Sequence, residues 1–315
     1  MVHSGLTALA AGRYLQAFRS AADNAGYSHF WYYTTSYDPK NLLVSMGGPS
    51  PDIGRNFAGL QHAVSFLIES RGVGIGRDSF VRRVHSHVVS IGALLQTAAS
   101  HARELMDAVA ASRADTIRRG LDPAAGDNVA VRVRSPVVKQ KLQMLAPDSG
   151  APATIEVDWS DSLQAVADIE RQRPWAYVLL PHFSDVAHRL SLSGVEVRRL
   201  TAPMELEVEA YEVTQRRAST SFVEGRITHA VTTRVAAKRM RLPAGAYVIP
   251  MAQANANVAV VALEPESPSS FVAFGLIPVD TRDAPATIGA GSEVPVYRVL
   301  RPTALTLSGV LTNTP

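Results

Sequence analysis

The sequence predicts an α/β protein: a mixed sheet with flanking helices, followed by a smaller α+β or β-rich unit. Three observations carry this. Residues 63–68 are mostly apolar and partly β-branched, too short a run for a helix, and are closed by Gly72 just after Glu69 and Arg71. From Ser79 to about Ala111, apolar residues recur at helical spacing. From Thr154 onward, strand-like and helix-like stretches alternate before strands take over.

Taken in order, residues 6–25 read as an amphipathic helix, with Leu6, Leu9, Ala10, Tyr14, Ala17 and Phe18 on one side and Gly26 as its C-cap. Residues 29–35 are dense in aromatic strand formers. The stretch 47–56 is rich in glycine and proline and reads as an irregular, surface-lining loop. Residues 63–68 then form a buried strand, and a long helix carries Phe80, Val84, Val88, Ile91, Leu94, Leu95 and Leu105 as an apolar stripe. Residues 122–150, with prolines, glycines and a strand at 128–134, read as a junction. Beyond it come a strand (154–159), a helix (160–172), a strand (175–180), a helix (184–192) and a strand (195–200). Ser160 or Asp161 and then Ser184 serve as N-caps, and Gly194 as a C-cap. Residues 205–213 alternate acidic and apolar side chains, the mark of a half-buried strand, and strands at 244–250, 257–263 and 294–300 follow. The expected organisation is 1–120 as one unit, 121–153 as linker, and 154–315 as an accessory domain.

Composition narrows the functions. Hydrophobic content of 46% and charged content of 19% belong to a folded chain, and 315 residues can bury a large core. Net charge is only +3, and the arginines are scattered, with no basic run interleaved with aromatics, which argues against nucleic acid as partner. Without cysteine there are no disulfides and no thiolate metal sites. No apolar run approaches the length of a membrane-spanning helix. The first residues are small and apolar but have no cationic start, so they do not read as a signal peptide.

Glu69 is the first candidate for chemistry. Ligands bind at the carboxyl ends of strands in open α/β sheets, and there a carboxylate can move protons; the alternative is a solvated acid at a strand end. Arg55 offers a bidentate fork to a substrate carboxylate, or pins loop carbonyls instead. Glu264-Pro265-Glu266 reads as a solvated turn, with weak cation binding as the alternative. The strand, the glycines Gly72, Gly74 and Gly76, and the helix imitate a dinucleotide-binding turn, but Arg77 stands where the last glycine of the fingerprint belongs.

Ser65-Phe66-Leu67-Ile68-Glu69-Ser70-Arg71 resembles the catalytic-glutamate strand of the zinc carboxypeptidases of the A/B type. Met46-Gly47-Gly48-Pro49-Ser50-Pro51-Asp52-Ile53 resembles that family's Gly-Gly-x-x-x-Asp loop, which shapes the pocket for the substrate's C-terminal side chain. The runs 29–76 and much of 155–300 look like a bacterial branch of the family with a C-terminal extension. The resemblance implies a hydrolase that removes C-terminal residues from peptides with zinc-activated water. It assigns Glu69 as general base and acid, places Asp52 on the substrate side, and implies export from the cytoplasm. It also implies a His-x-x-Glu pair and a further His before Glu69, yet only His3, His29 and His62 precede it, none with Glu three residues on. His101-Ala102-Arg103-Glu104 has the spacing but follows Glu69 inside the long helix, and residues two apart, such as His85 and His87, diverge on a helix. The expectation is therefore the C-terminal part of such an enzyme, with no complete metal site and no activity alone. A non-catalytic peptide-binding or interaction module, or a nucleotide-binding α/β domain, are the alternatives.

Overall fold

The computed structural model describes residues 2–36, 42–279 and 292–311. Its helices and strands are mixed in an α/β arrangement, as the sequence predicts. The N-terminal helix is broken into α1 (Ser4–Leu9), a π-helical turn (Ala10–Tyr14) and α2 (Leu15–Asn24), and Gly26, at a φ of 74°, ends it. Short strands β1 (Tyr33–Thr35) and β2 (Leu43–Met46) lead through the glycine-rich loop to α3 (Gly54–Leu60). A 3-10 stretch (Val73–Ser79) opens α4 (Phe80–Ser100), and α5 (Ala102–Leu121) follows. The predicted single helix is thus two, parted where His101 leaves helical backbone, with a φ of −123°.

Beyond α5 lie β3 (Asn128–Arg134), β4 (Val137–Leu145), β5 (Pro152–Ser160), β6 (Val166–Gln172) and β7 (Ala176–Leu179). Next come α6 (Ser184–Leu192), β8 (Arg198–Arg199), and the long hairpin of β9 (Met204–Val223) and β10 (Arg226–Leu242). The described chain closes with β11 (Tyr247–Pro250), α7 (Ala256–Leu263) and β12 (Ser292–Val299). Three sheets result: β1-β2-β5-β4, the pair β3-β6, and β10-β9-β12-β7-β11-β8. The first is mixed, because β2 runs parallel to β5 while the other pairs are antiparallel. That parallel pairing joins residues 43–45 to 158–160.

The core sits around the six-stranded sheet. Successive residues of β7 point to opposite faces. Tyr177 and Leu179 pack with α6 and α7, while Ala176 and Val178 pack with Leu200, Leu206 and Leu242 on the other side. Both faces are covered, so all four β7 residues are buried. A smaller core of Val44, Met46, Leu142, Val157 and Trp159 fills the four-stranded sheet.

Several expectations are corrected. Residues 63–68 are coil and enter no ladder, so the strand that a dinucleotide-binding turn requires is not formed. Residues 160–172 form a 3-10 turn and β6 rather than a helix; Asp161 still caps the turn by accepting from the Leu163 N–H at 2.9 Å. Residues 256–263 are α7, not a strand, and nearly every side chain is buried, a helix apolar all round. α6 has the predicted bounds, but Phe183 is its N-cap and makes no side-chain cap bond. Glu264 and Glu266 are not solvated. Both are buried: Glu264 accepts from Tyr177 Oη at 2.6 Å, and Glu266 pairs with Arg171 and accepts from the Thr233 N–H at 2.8 Å.

Candidate functional site

The glycine-rich loop is held by its own polar side chains. Arg55 lays its guanidinium across the turn and donates to the Gly48 carbonyl at 3.0 Å. Asn56 donates to the same carbonyl at 3.1 Å and to that of Ser50 at 2.7 Å. A Cβ at position 47 would stand 2.8 Å from an Arg55 side-chain nitrogen, so a larger residue there would displace the guanidinium. Of the two readings of Arg55, carbonyl pinning is the one the geometry carries. Asp52 projects to solvent at the tip.

The Glu69 segment is tethered at both ends by side chains instead of by a ladder. Ser65 Oγ donates to the Arg55 carbonyl at 2.5 Å, fastening the segment to the loop. Past Glu69, Arg83 Nε donates to Ser70 Oγ at 3.1 Å, His87 Nε2 lies 3.2 Å from the same hydroxyl, and Arg82 donates to the Arg71 carbonyl at 2.6 Å. Gly72, at a φ of 112°, turns the chain into the 3-10 stretch, a conformation side chains resist. The structure therefore brings the Asp52–Arg55 loop and the Glu69 segment together through Ser65, with the Glu69 carboxylate exposed between its anchors. Ser70, Arg83 and His87 were not singled out from the sequence for this role. They lie 13 and 17 residues apart in sequence, and only the turn at Gly72 unites them.

His3, His29, His62, His85 and His101, the other histidines weighed from the sequence, are engaged elsewhere. His3 Nδ1 accepts from the Gly5 N–H at 3.2 Å as the cap of α1, and His29 lies 3.3 Å from Asp23. His85 Nδ1 meets Tyr27 Oη at 2.6 Å. His101 and Glu104 are both occupied by Arg13, at 3.0 and 2.7 Å. His62 is buried, with Ser112 Oγ donating to Nδ1 at 2.6 Å and Nε2 donating to the Ala254 carbonyl at 2.7 Å. Burial outweighs the Ala254 bond and holds this imidazole below its ordinary pKa. Among the described residues no three His, Asp or Glu side chains gather into a metal-binding group, so the donors present do not fit a zinc site.

The groove beside Ser70 has about 560 Å³ and is walled by α4. The stripe predicted on this helix faces solvent: Phe80 is 61% exposed, Val84 46%, Val88 61%, Ile91 48% and Leu95 65%. The buried positions of α4 are Ser90 and Thr97, whose hydroxyls donate back to the helix's own carbonyls.

No family model and no solved structure matches the chain. Curated relatives do. A protein named Carboxypeptidase 2 from Trichophyton tonsurans is 34% identical over 260 residues, covering 82% of this chain and 45% of the relative. Carboxypeptidase 2 of Trichophyton equinum matches at 34% over the same shares, and that of Trichophyton rubrum at 33%. The chain thus spans less than half the length of these relatives, and they are fungal, not of the bacterial branch expected.

Proposed function

Starting from this similarity, which supports a carboxypeptidase-like hydrolase, we propose that the chain is one portion of a metallocarboxypeptidase, with Glu69 as its proton-transfer residue. The observation that carries the reading is the 34% identity to carboxypeptidases over most of the chain. An exposed carboxylate fastened beside a glycine-rich loop is consistent with it. Glu69 would take a proton from the attacking water and return it to the leaving amine, the two transfers that peptide-bond hydrolysis needs from one carboxylate. Asp52 would face the substrate's last side chain, with Arg55 holding the loop that carries it. Zinc is the cofactor expected of this family, and its donors would come from polypeptide other than the residues described here; no step is assigned to it. On this reading the 315 residues alone do not turn over substrate.

The test combines this chain with the polypeptide that the relatives carry outside the matched segment, and follows hydrolysis of N-blocked dipeptides. Glu69→Gln is expected to lower kcat by about 10²- to 10⁴-fold with little change in KM. Because Glu69 is exposed, the unfolding midpoint should not move. Near-normal turnover in the variant overturns the assignment.

A further inference from the structure

The six-stranded sheet ends in β10 on one side and β8 on the other, and the two edges are protected differently. β10 carries the exposed cations Arg226, Arg234, Arg239 and Arg241, which deter pairing with another strand. β8 is covered instead by residues 305–311, which reach it from β12 past the two intervening strands. Leu200 bonds inward, to the Ala246 carbonyl and the Gly245 N–H, so the main chain of Arg199 and Thr201 faces this strap. Ser308 donates to the Arg199 carbonyl at 2.9 Å, Thr201 to the Thr306 carbonyl at 2.9 Å, and Leu311 to the Val197 carbonyl at 2.8 Å. Ser308 Oγ accepts from the Arg199 N–H at 3.1 Å. Leu307 sits opposite Leu200 as an antiparallel bridge, and Leu305 and Leu307 pack on the cluster that holds Leu200 and Val178. Leu311 packs on the cluster that holds Val197.

The strap and the surface beneath it differ in depth. None of residues 305–311 is fully buried, whereas Val197 and Leu200 are 0% and 2% exposed. A surface segment held by three main-chain bonds belongs to the low end of local stability, while the sheet edge under it belongs to the core. We propose that the edge from Val197 to Thr201 is a docking site for an extended peptide, and that residues 305–311 are a displaceable strap that holds it closed. The bound strap displays the chemistry of the ligand: extended main chain, leucine-like side chains at alternate positions, and a small hydroxyl residue that reaches an edge N–H. The partner is a polypeptide segment of that pattern. The inference needs neither Glu69 nor turnover.

The probe is a labelled synthetic peptide of residues 304–311, and fluorescence anisotropy follows its binding to the 315-residue chain. The tether gives the strap an effective concentration of about 1 mM, so for a peptide Kd of about 10 μM the strap closes the edge about 100-fold. Leu307→Asp in the chain sets a carboxylate against buried Leu200 and releases the strap. This variant should therefore bind the unmodified peptide about 100-fold more tightly than the unmodified chain does. The same substitution in the peptide should weaken its binding by about tenfold or more. Equal binding by variant and unmodified chain overturns the proposal. So does a dimer of the unmodified chain that Leu307→Asp dissolves, since the edge would then belong to a second copy. If the variant does not fold, hydrogen exchange in the unmodified chain decides. The amides of Thr201, Ser308 and Leu311 should exchange about 100-fold faster than that of Val178 in β7, and exchange as slow as in β7 overturns the displaceable strap.

Discussion

Gly120→Ala should be among the most damaging small substitutions in the chain. Gly120 lies in the last turn of α5, and a Cβ there would stand 1.9 Å from the Met251 carbonyl oxygen and 2.6 Å from the Ala252 nitrogen. Both are backbone atoms and cannot rotate away. Reaching an ordinary contact of about 3.5 Å requires α5 to retreat by roughly 1.5 Å. Overpacking of this kind costs about 3 kcal/mol. The retreat also pulls on His62, which bridges Ser112 of α5 to the Ala254 carbonyl; losing one of those bonds leaves a buried polar group unpaired, at about 1–3 kcal/mol. Against this stands a gain of at most about 1 kcal/mol from helix propensity. The net loss is roughly 3–5 kcal/mol, a large share of a typical domain's stability. Gly92→Ala is the control. It sits in α4 with nothing within 4 Å of the added carbon, so propensity alone acts and the protein should gain up to about 1 kcal/mol. Equilibrium urea unfolding followed by far-ultraviolet circular dichroism measures both. If Gly120→Ala shifts the midpoint upward as Gly92→Ala does, the close approach of α5 to the 251–252 backbone is wrong.

His62 should make the fold acid-sensitive. Its folded pKa is lowered by burial, so the unfolded chain binds the proton more readily; stability is fully present above about pH 6.5 and falls as the pH drops below it, and His62→Gln should flatten this part of a pH–stability profile. Arg298, only 2% exposed, pairs with Glu209 at 2.9 Å and lies 3.6 Å from the fully buried Glu264. Arg298→Met should cost about 3–5 kcal/mol in urea unfolding, because it strands a buried carboxylate. Glu209→Ala should cost under about 1 kcal/mol, since Glu209 is a quarter exposed; equal losses from the two would refute a desolvated pair.

The sequence disclosed elements wherever the signal was local, and misled wherever a distant partner decided. α6 was legible to the residue because its apolar spacing, its acidic first turn and the glycine after it agree. β6 was misread because its partner β3 lies about forty residues earlier, and only that pairing selects the alternation of Val166, Asp168 and Glu170 outward over a helical reading. α7 was misread for the opposite reason: a short apolar run buried on every side has no periodicity to distinguish helix from strand. The side chains that tether the Glu69 segment and the loop were not legible, since Ser65 to Arg55 and Ser70 to His87 are contacts made by turns and not by spacing.

The error at residues 63–68 is different in kind. Composition favours a strand there, and the structure leaves it unpaired, with Leu67 58% exposed. A strand is a relation, not a property of six residues, and among the described residues no edge reaches them. The same holds for α4: its stripe has the spacing of a core-facing helix, yet it faces water. The six-stranded sheet shows what the satisfied case looks like, with β7 paired on both edges and buried on both faces.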